Sequence, residues 1–198
     1  MTLSPEEIAR KKQWRARLLA ARAEKAESTR AAEDTALRDS VLEHITRSGA
    51  VTVGAYVPTG SEPGSPDLLD GLRTRGCRVL LPIVTGAQPL EWAEYTGPDS
   101  LRSARYGLLE PAGTRLGPAA LGEADIVLVP ALAVDHQGVR LGRGGGHYDR
   151  SLPLASARAQ LIALVGEHEL VAQLPGEEHD VRMNAVITPE RGAVALPL

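Results

Sequence analysis

Aromatic and sulfur-containing side chains are scarce in this sequence of 198 residues. It has no Phe, an aromatic share of 3% and a single cysteine, although 43% of its residues are hydrophobic. Ala, Val and Leu must therefore fill most of a core. Cys77 alone cannot form an internal disulfide, and its position at the start of an apolar run indicates packing rather than redox chemistry. We expect a protein of the reducing cytoplasm.

The sequence also lacks an excess of positive charge and any long hydrophobic run. Its formal net charge of -3 argues against nucleic-acid binding by the chain as a whole. Charged residues interrupt the N-terminal segment, and no run of about 18 uncharged apolar residues occurs, so we expect neither an export signal nor a membrane span. We expect one domain spanning residues 1–198, a monomer, with small molecules as partners.

The first fifty residues carry helix signals. Ser4, Pro5 and Glu7 form the pattern of a capping box, which predicts a helix to about Lys25. Apolar residues then recur at helical spacing and a glycine supplies a stop. The spacing predicts a second helix over Ser28–Arg47.

From Val51 the pattern changes to strands with one further helix, a βαβ unit followed by more strands. This order predicts an α/β fold with a mainly parallel sheet flanked by helices and an N-terminal helical pair. Ligands of such sheets bind beyond the carboxyl ends of the strands, here the loops after Val57, Leu81 and Val129. The predicted elements are strand Val51–Val57, helix Pro66–Arg75, and strands Arg78–Ile83, Leu90–Tyr95, Asp125–Val129, Leu161–Val165 and Ala185–Thr188.

The stretch RLGRGGGHYDR, residues 140–150, is dense in glycine, which costs conformational entropy and needs a reason. Backbone N–H groups of such a turn can form a nest that binds an anion. Arg140 and Arg143 could reach phosphate oxygens, and Asp149 offers the hard oxygen that Mg²⁺ prefers. These features favour a Mg-nucleotide site, and a purely structural strand-to-helix turn is the alternative. Neither the dinucleotide fingerprint nor the P-loop pattern is present.

The first helix and the C-terminal region add candidates. Lys11, Arg15 and Arg22 lie on one stripe of the helix, among apolar residues. If the stripe faces the sheet, its cations need an anionic partner such as a triphosphate, whereas snorkelling or salt bridging would explain them without a ligand. Asp180 is either a second Mg²⁺ ligand or a turn residue.

These features together resemble the 5-formyltetrahydrofolate cyclo-ligase family, also called methenyltetrahydrofolate synthetases. The resemblance spans nearly the whole chain. Its most selective part runs from Asp135 to Arg150, and the basic first helix, the Tyr56 loop, the segment from Tyr106 to Pro111, Val129-Pro130 and the ending from His179-Asp180 to Pro189 are similar too.

The resemblance implies a NagB/RpiA/CoA-transferase-like fold and a reaction. That family uses ATP and Mg²⁺ to convert 5-formyltetrahydrofolate to 5,10-methenyltetrahydrofolate, with release of ADP and phosphate. The formyl oxygen is phosphorylated, N10 closes the ring and phosphate leaves.

Carried over by position, the resemblance also assigns site residues. It implies ATP contacts at Lys11, Arg15 and the phosphate loop Arg140, Leu141, Gly142, Arg143, Gly144, Gly145, Gly146, His147 and Tyr148. It implies folate contacts at Val57, Glu62, Tyr106 and residues Arg143 to His147, and Mg²⁺ ligands at Asp149 and Asp180. Arg143, Tyr148 and Asp149 are the predicted catalytic residues.

The sequence departs from the family pattern at three positions. His147 stands where Phe or Tyr is usual, Gly145 where lysine is frequent, and Asn184 where an acidic residue is common. Asn184 is therefore left out of the predicted site. The leading hypothesis is an ATP-dependent folate ligase. A paralogue with another substrate and a non-catalytic RNA-binding protein are the alternatives.

Overall fold

The computed structural model describes residues 4–104, 107–176 and 180–198. Its helices are α1 (Pro5–Glu24), α2 (Glu27–Ser48), α3 (Pro66–Thr74) and α4 (His147–Ser151). The strands are β1 (Thr52–Gly54), β2 (Arg78–Ile83), β3 (Glu91–Glu94), β4 (Leu101–Ser103), β5 (Leu109–Pro111), β6 (Ile126–Pro130), β7 (Ala133–Asp135), β8 (Arg140–Leu141), β9 (Gln160–Leu164), β10 (Leu170–Val171), β11 (Ala185–Thr188) and β12 (Gly192–Ala195).

A seven-stranded sheet with the order β12-β11-β9-β6-β1-β2-β3 forms the centre of the fold. Its five inner strands are parallel, and β3 and β12 pair antiparallel at the two edges. The predicted βαβ unit is β1, α3 and β2, with Thr52 opposite Arg78. A smaller sheet, β10-β7-β8, and the antiparallel pair β4-β5 complete the strands. The prediction of a mainly parallel α/β sheet is confirmed.

Alternate residues of the parallel strands fill two separate cores, as expected for a sheet covered on both faces. Val53, Leu81 and Leu128 pack with the buried residues of α2 and α3. Leu80 and Val127 point to the opposite face and pack with Trp92 and with short 3₁₀ segments. Aliphatic side chains make up most of both cores, as the low aromatic content of the sequence predicts.

Helix α1 packs against the smaller sheet. Leu18 of α1 joins a third core cluster with Ala133 of β7 and Leu141 of β8. The predicted capping box is present, because Glu7 N–H donates to the Ser4 hydroxyl and Ser4 N–H donates to the Glu7 carboxylate. The capping box determines the residue at which α1 begins. The apolar face of α1 determines how the helix packs against the smaller sheet.

Most predicted element boundaries lie within one residue of those in the structure, but the end of the first strand is a correction. The prediction was Val51–Val57, whereas β1 ends at Gly54. Beyond it, Ala55 N–H still donates to Leu80 O, and Pro58, which has no N–H, soon follows. Residues 55–57 are buried without forming a strand. Within the described residues, no helix has the length and apolarity to cross a membrane.

A tight turn between β7 and β8 leads into the glycine-rich stretch. The buried Asp135 carboxylate accepts N–H groups of Gln137, Val139 and Leu174 at 2.9–3.0 Å. At the tip of the turn, Gly138 has a φ of 80°, and an added Cβ would lie 2.6 Å from the Met183 backbone oxygen. The turn therefore excludes a side chain at this position.

We predict that Gly138→Ala lowers the free energy of unfolding by at least about 2 kcal/mol, because left-handed strain and a backbone clash add together. Gly76→Ala is the matched control, since Gly76 has a φ of 84° and open space around it. It should cost only about 1 kcal/mol. Urea unfolding of both variants measures the difference, and equal losses would contradict the clash.

Candidate active site

A cavity of about 200 Å³ lies at the carboxyl ends of the central strands. Residues of the loops after β1, β2 and β6 border it, as the sheet topology predicts. The stretch from Gly142 to Asp149 forms another wall. The remaining lining is largely apolar and includes Val57, Val84, Leu90, Leu108, Leu109 and Leu132.

The glycine loop, residues 142–146, connects β8 to α4, so a helix begins directly after it. Arg15 of α1 donates from Nε to Gly142 O at 2.9 Å, and Arg150 donates to Gly145 O at 3.1 Å. Gly144 has a φ of 100°, and an added Cβ there would lie 3.4 Å from the Arg15 guanidinium carbon. Arginines on both sides therefore fix the loop and place positive charge beside its backbone.

Glu62 faces this loop from the segment after β1. Its Oε2 accepts the Thr59 N–H and hydroxyl, each at 2.9 Å, and its Oε1 lies 3.2 Å from Arg143 Nε. The Glu62 side chain is mostly buried and Arg143 is half exposed. The carboxylate is therefore held in the cavity wall while its cationic partner lies at the surface.

Two tyrosines add buried phenol groups to the cavity. The Tyr56 hydroxyl donates to Pro63 O at 2.7 Å, whereas the buried Tyr148 hydroxyl has no hydrogen-bond partner among the described residues. Burial raises the pKa of both phenols well above the ordinary value, and the negative charge of Glu62 raises it further. Both groups are therefore neutral hydrogen-bonding groups at physiological pH.

The two predicted metal ligands each lie beside a cation. Asp149 pairs with Arg140, which also donates to Pro130 O at 3.2 Å and lies 5.8 Å from the centre of the Tyr148 ring. Asp180 Oδ2 lies 3.8 Å from Lys11 Nζ. Within the described ranges, no three His, Cys, Asp or Glu side chains form a metal-binding group. Mg²⁺ commonly needs just one or two carboxylates, because phosphate and water supply its other ligands.

The structure brings many of the predicted site residues into one place. Val57, Glu62, Arg140 and all residues from Gly142 to Asp149 line the cavity. Lys11 contacts Asp180, and Arg15 contacts the glycine loop. Leu141 is buried in the core next to that loop. Tyr106 lies outside the described residues. The functional roles of these residues stay predictions.

Sequence reasoning did not assign Arg22 to the site, yet Arg22 lines the cavity. Its membership of the basic stripe was the available signal. The salt-bridge interpretation is correct for its Nε and Nη2 groups, which bind Glu169 at 2.6 and 2.7 Å. Thr59, which orients Glu62, was also missed.

The fold and the cavity define a class: an α/β protein with a cavity at the carboxyl edge of its sheet, beside a glycine- and arginine-rich loop. The 5-formyltetrahydrofolate cyclo-ligase family matches residues 7–189, and the chain belongs to this family. The sequence prediction of the family is therefore confirmed.

Individual relatives agree with the family match. The chain is 50% identical to a 5-formyltetrahydrofolate cyclo-ligase of Mycolicibacterium smegmatis, over 94% of this chain and 97% of that protein. It is 32% identical to the Escherichia coli K12 cyclo-ligase, over 72% of this chain and 80% of the relative. The fold is similar to that of Aquifex aeolicus 5,10-methenyltetrahydrofolate synthetase, with a TM-score of 0.76 at 24% identity, covering 94% and 92% of the two chains.

We predict that Tyr148 stays protonated at about pH 10, where an ordinary tyrosine is half ionised. Burial favours the neutral phenol in the folded state, so its contribution to stability is complete below about pH 10 and is lost as the pH rises towards the raised pKa. The absorbance difference between the native protein and Tyr148→Phe should show no phenolate at this pH. Unfolding in guanidinium should reveal it, and a phenolate band in the folded protein would contradict the prediction.

Proposed function

We propose that the chain catalyses the ATP- and Mg²⁺-dependent cyclisation of 5-formyltetrahydrofolate to 5,10-methenyltetrahydrofolate, releasing ADP and phosphate. The family match and the relatives support cyclo-ligase activity. The structural observation that carries the proposal is one cavity that joins an arginine-braced glycine loop to an apolar wall bearing Glu62. The two halves of this cavity suit the two substrates.

The glycine-loop half suits the phosphates of ATP. Arg15 and Arg150 hold the loop from outside, and Arg140 and Arg143 bring two more guanidinium groups to it. Guanidinium groups and backbone N–H groups are the usual partners of phosphate oxygens. A triphosphate in this half would therefore meet positive charge from several directions.

The opposite half suits the folate ring system. Glu62 is an acceptor for ring N–H groups, and Val84, Leu108 and Leu109 provide apolar surface for flat rings. The buried Tyr148 hydroxyl, which stays neutral, offers a hydrogen bond between the two halves. A folate bound here would place its formyl group towards the glycine loop.

The reaction needs this proximity. A formyl oxygen is a poor leaving group, so attack by N10 on the formyl carbon stalls until that oxygen is phosphorylated. The formyl oxygen attacks the γ-phosphate and ADP departs; N10 then closes on the carbon and phosphate leaves. Phosphoryl transfer depends mainly on positioning and on charge stabilisation, which the arginines, the backbone amides and Mg²⁺ would provide together, so no protein nucleophile is needed.

Asp149 and Asp180 are the residues that would hold Mg²⁺. Their carboxylates are hard oxygen ligands, and each lies beside a basic residue of the proposed ATP site. When bound, Mg²⁺ supplies charge neutralisation at the transferred phosphoryl group. Before Mg²⁺ binds, the neighbouring cations Lys11 and Arg140 neutralise the negative charge of the two carboxylates.

Incubation of the purified protein with 5-formyltetrahydrofolate and Mg-ATP tests the proposal directly. We expect the near-ultraviolet absorbance of the methenyl product to rise, with one ADP formed per product. Omission of ATP or chelation of Mg²⁺ should abolish the rise. Binding of ATP without formation of the methenyl product would show that the substrate is a different molecule.

We predict that Asp149→Asn lowers kcat by at least about 100-fold, because the metal loses a charged ligand at the transferred phosphoryl group. Stability should fall only moderately, since Asp149 is two-thirds exposed and the Asn side-chain oxygen can still accept from Arg140, whose side chain is 7% exposed. Asp39→Asn, on an exposed ion pair of α2, is the control and should stay within about twofold of the native rate. Native kcat in the Asp149 variant would remove this residue from the site.

A further inference from the structure

The buried guanidinium of Arg22 has a hydrogen-bonding group that the protein leaves unused. Arg22 is 4% exposed, and its Nε and Nη2 atoms donate to Glu169 while Nη2 also donates to Ala131 O at 2.7 Å. These contacts use three of the five N–H groups. Nη1 is buried and has no hydrogen-bond partner among the described residues. A buried N–H group without an acceptor lowers the stability of the folded protein, so its presence indicates that a ligand supplies the acceptor.

The direction of Nη1 follows from the geometry of the pair. Glu169 binds the edge of the guanidinium formed by Nε and Nη2, so Nη1 points away from that carboxylate. Arg22 and Glu62 line both the proposed active-site cavity and a polar cavity beside it, and Glu169 lies in the polar one. Of the two cavities that Arg22 lines, the active-site cavity is the one that Glu169 does not border, and Arg22 shares it with Glu62.

The surrounding charges select the kind of acceptor that Nη1 would bind. Arg22 is neutralised by Glu169, whose Oε2 also accepts the Gly166 N–H at 2.6 Å. The Glu62 carboxylate adds negative charge to the same wall. A phosphate would gain little from a neutralised arginine and would be repelled by Glu62. A ligand that suits Arg22 and Glu62 together has a neutral carbonyl oxygen for Arg22, next to N–H groups that donate hydrogen bonds to Glu62.

We propose that Arg22 is a substrate-binding residue whose Nη1 donates to the carbonyl oxygen of the pyrimidinone ring of the folate, while Glu62 accepts the adjacent ring N–H groups. This inference rests on the proposed function, because it takes a folate as the ligand. The amino group, the ring N–H and the carbonyl oxygen follow one another along one edge of that ring. The ion pair with Glu169 holds the guanidinium in place before the substrate arrives.

Arg22→Lys tests the proposal, because an ammonium group can keep the ion pair but lacks the planar fork that binds Glu169 and the ligand together. Calorimetry with Mg²⁺ and a non-hydrolysable ATP analogue should show an affinity for 5-formyltetrahydrofolate about 10-fold lower and an unchanged affinity for the nucleotide. Arg17→Lys, on the same helix and stacked on Trp14, is the control and should bind like the native protein. Arg22→Gln, which removes the charge together with the planar fork, is a second variant and should likewise weaken the binding of the folate more than that of the nucleotide.

A folate analogue with an amino group in place of the ring carbonyl separates a ligand contact from a structural role. At alkaline pH, where the diamino ring is uncharged, the native protein should prefer the carbonyl form, and Arg22→Lys should reduce this preference about 10-fold. An unchanged preference, or equal loss of folate and nucleotide affinity, would overturn the inference alone. Failure of the native protein to bind any folate would overturn the proposed function with it.

Discussion

Burial of the Arg22–Glu169 pair constrains how the first helix lies on the rest of the molecule. A buried ion pair adds little net stability, but separating its partners leaves an uncompensated charge inside the protein. Helix α1 can therefore neither rotate nor slide without a large loss. The same helix carries Arg15, which contacts Gly142 O at 2.9 Å, and Lys11, which lies 3.8 Å from Asp180. One anchor thus positions both the glycine loop and a predicted metal ligand, although neither is close to α1 in the sequence.

The small sheet β10-β7-β8 gives the glycine loop its place. Its strands contain only two or three residues, and the Asp135 carboxylate accepts two backbone N–H groups of the turn before β8 and a third from Leu174. The loop then lies opposite Glu62, and Arg143 bridges the two walls with an ion pair of which it is the half-exposed partner. Such pairs contribute little to stability. In the proposed ATP complex, a phosphate could therefore draw Arg143 away from Glu62 at small cost, whereas the Thr59 contacts would keep Glu62 in position.

Local signals in the sequence were sufficient for the long helices, the central parallel sheet and the position of the glycine loop. The capping box of α1 and the apolar strand Ile126–Pro130 are examples of patterns that are contained within a few residues. The strands β7, β8 and β10 are too short to produce such a pattern. The partner of Arg22 is 147 residues away, so no local rule could decide between a salt bridge and a ligand contact. The roles of the site residues, the single domain, the monomer and the cytoplasmic location stay predictions.

The volume of the cavity limits which parts of the proposed substrates it can enclose. About 200 Å³ is less than the usual 300–1,000 Å³ of a site that encloses a drug-sized ligand. ATP and a folate together exceed it several-fold, so we infer that the cavity encloses only the pterin ring, the formyl group and the terminal phosphate. The adenosine and the glutamate tail then lie outside. In the proposed mechanism, enclosure of the reacting atoms alone is sufficient, because water would have to be kept from the phosphorylated formyl group only until N10 closes the ring. In that mechanism the apolar wall and the neutral phenols of Tyr56 and Tyr148 would exclude water, and the arginines would hold the phosphate charge at the opposite end.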